Sequence, residues 1–310
     1  MRHFLIFCFL FFFSSQIFCQ QPKYANTLLW RISGKGLTKP SYLYGTIHLT
    51  DKRVFFLGDS VYKAIERSEG FAAELDLNSL GVEMMNQFLK EEQEKNATEP
   101  VKLKEVVSPE IWERYKSMLA EKFGKKAENI TLDELEENAS ALENEIFKNG
   151  EMATFLDAHL FGIAKKKGKW VGGIEDFEDQ LEHFNNYKNI EEKIQTALYD
   201  EDYYRHSLAW LIDVYIGQKL DSIDASMYRE ESGQKDYIMI KRNLKMARRM
   251  DSISAIRSTF FAVGAAHLPG DSGVISMLRA RGFEVSPVIS SKKLILQNIY
   301  LKVTRKHGGL

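Results

Sequence analysis

The chain has 310 residues, 44% of them hydrophobic and 27% charged, with 42 Lys and Arg against 43 Asp and Glu for a net charge of −1. That balance excludes a nucleic-acid binder, which needs a basic surface to release counterions from phosphate, and the composition excludes wholesale disorder and a fibrous repeat. What remains is a globular chain long enough to bury a core and hold a preformed site.

Residues 1–20 stand apart. Arg2 and His3 precede an unbroken apolar run, Phe4 to Phe13, closed by Ser14, Ser15 and Gln16. The run is too short to span a bilayer and has the layout of a secretory signal peptide. It predicts cleavage near Cys19 or Gln20 and an exported protein, periplasmic or extracellular, with no transmembrane span once the leader is gone. Acylation of Cys19 is the alternative, although Gln16-Ile17-Phe18-Cys19 lacks the Leu and small residues of a lipoprotein signal. Cys8 and Cys19 are the only cysteines. Residues 21–310, read as a single domain, therefore have no internal disulfide and no Cys nucleophile, and any metal must be held by His and carboxylates.

Six strands are expected in chain order. Thr27–Ile32 and Ser41–Tyr44 flank the turn Gly34–Pro40 and read as a hairpin. Gly70–Leu75 follows a short helix that Asp59 or Ser60 could cap. Lys169–Ile174, Phe260–Gly264 and Phe283–Val288 complete the set. Between the third and fourth, Pro109–Phe123, Leu132–Phe147 and Met152–Lys167 repeat apolar residues at three- and four-residue spacing. Ile190–Ile216 and Asp236–Met250 do so between the fourth and fifth. The alternation predicts an α/β protein: a central mixed sheet of about six strands with pseudo-repeated halves and a large helical insertion over about residues 80–165. Charged runs such as Glu134–Glu137 and Lys165–Lys169 read as solvated helix faces and a helix C-terminus. Asn96, Asn129 and Asn138 match glycosylation sequons, which matter only in a eukaryotic secretory route.

One pattern occurs twice. Tyr44-Gly45-Thr46-Ile47-His48-Leu49 and Val263-Gly264-Ala265-Ala266-His267-Leu268 each run from an apolar strand through Gly-x-x-His-Leu into a turn. Both histidines then fall just beyond a strand's C-terminal end, the edge at which open α/β sheets bind ligands. Carboxylates close two other strands: Glu74 and Asp76, then Glu175 and Asp176. Helix capping explains Asp176. Glu74 lies in an apolar context, where a buried carboxylate needs a cation, a metal or Arg242, or a hydrogen-bonding His. Two His and one or two Glu suit Zn, Mn or Co, which lower the pKa of bound water and polarise a carbonyl.

The same residues carry a family resemblance. Gly45-Thr46-Ile47-His48, Glu74-Leu75-Asp76, Leu156-Asp157-Ala158 with Ala164, Gly173-Ile174-Glu175 with Gln180, Arg242-Asn243 and Val263 to Gly270 occur in the order seen in the TraB/GumN family, which is similar to the TIKI proteins, described as divalent-metal-dependent proteases. The resemblance covers Leu28 to Val288. It implies a fold related to erythromycin esterase and ChaN-like proteins, the latter binding haem iron. It also implies that His48 and His267 are central, with Glu74 or Glu175 as partner acids, and it favours Arg242 reaching the site.

Other motifs are decoys. Gly270-Asp271-Ser272-Gly273 resembles a serine-protease loop, yet it opens the expected helix Gly273–Arg281, with Asp271 or Ser272 as N-cap. Gly34-Lys35-Gly36 lacks the third Gly of a dinucleotide loop. Asp157 and His159 lie on one helix, Asp157 able to hydrogen-bond a site residue and His159 equally able to face solvent. Tyr203, Tyr204 and Trp210 read as core or helix-packing residues. The leading expectation is an exported metal-dependent peptidase acting on a peptide or protein substrate. His48, Glu74 and His267 hold the ion, Glu175 is ligand or general base, and Arg242 stabilises charge. Gly45, Asp157, Asn243 and Gly264 support them. A non-catalytic peptide- or haem-sequestering protein is the alternative, and a metal-free ester or amide hydrolase with a histidine base is a third reading.

Overall fold

A computed structural model describes residues 23–97, 100–135, 137–138, 151–181, 190–198, 201–227 and 233–289. The leader, the greater part of the expected helix Leu132–Phe147 and the Tyr204 side chain lie outside the described residues.

Six strands form one mixed sheet: β1 (Leu29–Gly34), β2 (Ser41–Thr46), β3 (Gly70–Ala73), β4 (Trp170–Gly173), β5 (Thr259–Gly264) and β6 (Phe283–Pro287). Their spatial order is β4-β3-β5-β2-β1-β6. β4, β3, β5 and β2 run parallel, and β1 is antiparallel to both β2 and β6. Burial follows position. β2 is buried at all six residues and β5 at the first five, as parallel strands covered on both faces require. β6, at an edge, alternates buried Phe283 and Val285 with exposed neighbours. Phe71 and Phe260, opposite each other in register, stack at 5.8 Å, and Phe161 meets Phe71 edge-on at 6.2 Å.

The helices are α1 (Asp59–Arg67), α2 (Leu80–Ala97), α3 (Leu103–Val106), α4 (Pro109–Phe123), α5 (Leu156–Lys166), α6 (Ile190–Leu198), α7 (Glu201–Ile216), α8 (Leu220–Met227), α9 (Gly233–Ile256) and α10 (Val274–Ala280). α4 shows why its residues are helical. Ser108 caps it by accepting from the Ile111 N–H, Pro109 occupies the first turn, and Trp112, Tyr115 and Leu119 share the buried face. These three join Leu103, Ile130 and Leu135 in a second apolar cluster completed by Ile194 and Ala197 of α6. Chain from both sides of β4 thus builds one helical layer apart from the main core.

Boundaries differ from expectation where partners distant in sequence decide them. β3 stops at Ala73 because the next carbonyl, that of Glu74, accepts from the Ile174 and Glu175 N–H groups instead of continuing the ladder. Glu74 therefore stands at a strand end and not within the strand. Neither expected cap forms: Gly58 occupies the cap of α1 and Gly273 that of α10, both without a side-chain hydrogen bond. The expected helical stretch Ile190–Ile216 carries α6 and α7.

Candidate functional site

The four parallel strands end at one edge, and the polar residues that the sequence singled out gather there. β4 reaches that edge close against β3. A Cβ on Gly173 would lie 2.5 Å from the Asp76 nitrogen, so only glycine lets the two strand ends touch. The contact delivers the Glu175 N–H to the Glu74 carbonyl at 2.7 Å, setting two carboxylates side by side from residues distant in sequence.

Both are buried, with side-chain exposures of 7% for Glu74 and 0% for Glu175, and α9 supplies the cation between them. Arg242 donates from Nε to Glu175 Oε1 at 2.9 Å, and from Nη2 to Glu175 Oε2 at 2.7 Å and Glu74 Oε2 at 3.2 Å. Burial pulls the guanidinium pKa down, but the hydrogen bond and charge of Glu175 outweigh it and leave Arg242 raised. Gln180 donates to Glu74 Oε2 at 3.0 Å and Glu175 Oε2 at 3.4 Å. The other Glu74 oxygen, Oε1, accepts from the Gly264 N–H at 2.6 Å and lies 3.7 Å from His267 Nε2. His267 Nδ1 is 2.6 Å from Asn243 Oδ1, and Asn243 Nδ2 donates to the Ser272 carbonyl at 2.8 Å.

The second histidine has a different setting. His48 is exposed, its ring 5.6 Å from that of Phe155. Its Nδ1 is 3.3 Å from Oδ2 of the buried Asp157, an ion-pair distance without hydrogen-bond alignment. Asp157 Oδ1 accepts from the Thr46 hydroxyl at 2.5 Å. Burial pushes the Asp157 carboxyl up; His48 and Thr46 pull it back, and the charge of Glu74 adds to the rise. Behind this turn, the Tyr215 hydroxyl donates to the Gly45 carbonyl at 2.9 Å, and burial holds both Tyr215 and Tyr44 above the usual phenol range.

The two Gly-x-x-His turns are neighbours because β2 and β5 pair with Thr46 opposite Gly264. Gly45 and Gly264 do not act through a left-handed backbone, since neither has positive φ. A Cβ on Gly45 would sit 3.1 Å from Ala265, and one on Gly264 would sit 3.2 Å from Glu74 Oε1, so both glycines keep the edge open. Glu74, Glu175, Arg242, Asn243, Gly264 and His267 form one contact network. His48 and Asp157 form a separate pair beside it. Among the described residues no group of three or more His, Cys, Asp or Glu is placed to hold a metal. The donor chemistry nevertheless suits a divalent ion: a carboxylate oxygen faces an imidazole nitrogen, and His267 is oriented through Nδ1 by the Asn243 amide oxygen, as ligating histidines are.

Other candidates fall elsewhere. Asp176 pairs with Lys245 and Arg249 at the surface, and Asp76 accepts from the Asn78 N–H in a turn. His159 packs edge-on to Phe55. Arg242 is not part of a solvated basic face, and Tyr203 and Trp210 are not core residues: they are 53% and 48% exposed on α7. Thr46 and Gln180 entered the sequence reading only as members of the quoted motifs, without a role; the structure gives Thr46 to Asp157 and Gln180 to the two glutamates. Tyr215 was not singled out and carried no signal, since only the tertiary fold brings it to the edge.

Fold and site together define an α/β protein whose acids, histidines and buried arginine converge at the carboxyl edge of its parallel strands. The chain belongs to the TraB/PrgY/gumN family, whose profile matches residues 28–287. It is 25% identical to metalloprotease TIKI2 of Danio rerio over 88% of this chain and 65% of that protein. It is 24% identical to metalloprotease TIKI1 of Danio rerio, over 84% of this chain and 63% of that protein. With TIKI2 of Xenopus tropicalis the identity is 24%, over 84% and 59%. The chain thus spans less than two thirds of the length of these relatives. No solved structure gives a significant match. No helix among the described residues is long and apolar enough to cross a membrane.

Proposed function

We propose that the protein is an exported, metal-dependent hydrolase that cleaves peptide bonds. The observation that carries this reading is the facing pair of Glu74 Oε1 and His267 Nε2, 3.7 Å apart at the carboxyl edge of the sheet. The relatives named metalloproteases support it. Glu74 and His267 would hold the ion, and His48, on the neighbouring turn, is the candidate for a further ligand. A Mn, Co or Zn ion so held would polarise the scissile carbonyl and acidify a water. Arg242, Glu175 and Gln180 fix the Glu74 carboxylate through Oε2, and the Gly264 N–H fixes Oε1. With Nε and Nη2 committed to carboxylates, Arg242 and Glu175 serve as a positioning pair and not as oxyanion binder and base. Asp157, held by Thr46, stands within ion-pair distance of His48.

A metal-free hydrolase is the second reading. It is favoured by the His48–Asp157 pair, which has the composition of a general-base dyad, and by Arg242 already serving as the cation between the glutamates. Purified protein, stripped with chelator and reloaded with Mn, Co or Zn, separates the two when offered a peptide library. Cleavage restored by metal supports the first reading; cleavage that survives chelation overturns it in favour of the second. Binding of peptide or haem without turnover points to sequestration. Export is tested by N-terminal sequencing: a mature end near Cys19 or Gln20 is expected, and intact Met1 in the cytoplasm rejects the leader.

A further inference from the structure

α9 places two consecutive polar residues, Arg242 and Asn243, in the buried interior, and Met246, Ala247 and Met250 anchor the helix behind them. Neighbours on a helix point about 100° apart, so the two address different groups. Arg242 reaches the glutamates. Asn243 reaches the turn that carries His267 and the loop that carries Ser272.

The chemistry of this second contact admits one arrangement. The Ser272 carbonyl has no hydrogen to give, so the Asn243 amide must present its nitrogen there, at 2.8 Å. The amide oxygen is then the atom facing His267 Nδ1, at 2.6 Å, and it too can only accept. His267 must therefore carry its proton on Nδ1. Turning the amide over would set oxygen against oxygen at Ser272 and forfeit a buried hydrogen bond there. In a neutral imidazole a proton on Nδ1 leaves Nε2 as the lone-pair nitrogen, and Nε2 is the atom 3.7 Å from Glu74 Oε1.

We propose that Asn243 is a positioning residue: keyed by the Ser272 carbonyl, it locks His267 in the Nδ1–H tautomer and so presents the Nε2 lone pair to Glu74 Oε1. Two acceptors so opposed are bridged by a cation or a proton and not by a neutral hydrogen bond. The functional consequence, an edge that recruits a Lewis acid, rests on the metal-dependent reading above; the tautomer assignment does not.

The experiment is long-range ¹H–¹⁵N correlation NMR on ¹⁵N-histidine-labelled protein, with chelator present. It is run at pH about 8.5, some two units above the ordinary imidazole value of roughly 6.5, and His267 is assigned by its absence in His267→Gln. The wild type is expected to show His267 protonated at Nδ1. Asn243→Ala is expected to mix the tautomers or shift to Nε2–H, whereas Asn243→Asp, which keeps an acceptor opposite Nδ1, retains Nδ1–H. Titration with Zn²⁺ alone should then show a loss of about 10–100-fold in affinity for Asn243→Ala. A wild-type His267 protonated at Nε2, or an Asn243→Ala protein that keeps Nδ1–H unchanged, overturns the proposal. The wild-type spectrum decides the matter if neither variant folds. An Nδ1–H wild type that fails to bind Zn²⁺ supports the tautomer lock and removes the metal reading instead.

Discussion

Replacing Arg242 by Met isolates the charge balance on which the site depends. The guanidinium makes three hydrogen bonds of 3.2 Å or less to carboxylates whose side chains are 7% and 0% exposed. Methionine approximates its volume and removes the charge, leaving Glu74 and Glu175 with Gln180 between them. Removing one member of a buried ion pair costs about 3–5 kcal/mol, because the partner charge is left uncompensated. A domain of ordinary stability, roughly 5–15 kcal/mol, survives this in weakened form. Urea unfolding at neutral pH, with the denaturant slope checked for constancy, measures the loss. Arg242→Lys, which keeps a point charge without the planar fork, should lose less, about 1–3 kcal/mol. An Arg242→Met protein within about 0.5 kcal/mol of wild type would show that the guanidinium does not compensate the two acids.

Glu74→Gln keeps the shape of the carboxylate but turns an N–H₂ toward Arg242 or toward the Gly264 N–H; it should lose about 1–3 kcal/mol with chelator present. On the proposed metal-dependent reading its affinity for the ion should fall as well, and unchanged metal binding by calorimetry removes Glu74 from that reading. Asp157, whose carboxyl is held up first of all by burial, favours the folded state most at low pH, and ionisation erodes that contribution as pH rises through its folded pKa. Asp157→Asn should therefore be the more stable protein at neutral pH and converge with wild type at or below the ordinary value of about 3.9; a wild type that gains on the variant as pH rises contradicts the burial argument. Gly173→Ala places a methyl 2.5 Å from the Asp76 nitrogen, and about 1–3 kcal/mol of overpacking is expected. Thermal unfolding reads this out, and an unshifted midpoint would mean that the strand ends do not need their close approach.

The sheet was legible because strands buried on both faces read as apolar runs, and Ser41–Tyr44 and Phe260–Gly264 need no distant partner to announce themselves. Element ends were less so. β3 stops at Ala73, just before Glu74, because Ile174 and Glu175, far along the chain, donate to the Glu74 carbonyl, and no local pattern encodes that. Likewise, Gly58 and Gly273 occupy cap positions where Asp59, Asp271 and Ser272 offered better capping chemistry. The Gly-x-x-His turns and the isolated acids, singled out from the sequence, do come to one edge of the sheet. What the residue types could not show was how they pair. Arg242 sits in a helix rich in Lys and Arg, and only burial against two carboxylates distinguishes it from its solvated neighbours. The expectation that Tyr203 and Trp210 are core residues failed for a related reason: α7 buries Ile212, Val214 and Tyr215 and leaves Tyr203 and Trp210 exposed.

The sheet order has a consequence for how the chain is made. β5 fills the slot between β2 and β3, pairing Tyr42 with Phe260 and Gly70 with Thr259. Until Thr259–Gly264 has left the ribosome, β2 and β3 have no strand to join them, and the backbone donors and acceptors on their β5-facing edges stay exposed to water. A topology dominated by such distant pairings folds slowly, and a nascent chain of this kind remains open through most of its synthesis. Synthesis can therefore outrun folding, which leaves time for chaperones or a translocation machine to engage an extended polypeptide. Truncation between Gly173 and Thr259 should yield not a smaller folded protein but two unjoined strand pairs, β3 with β4 and β1 with β2, each with bare edges prone to pairing with other chains.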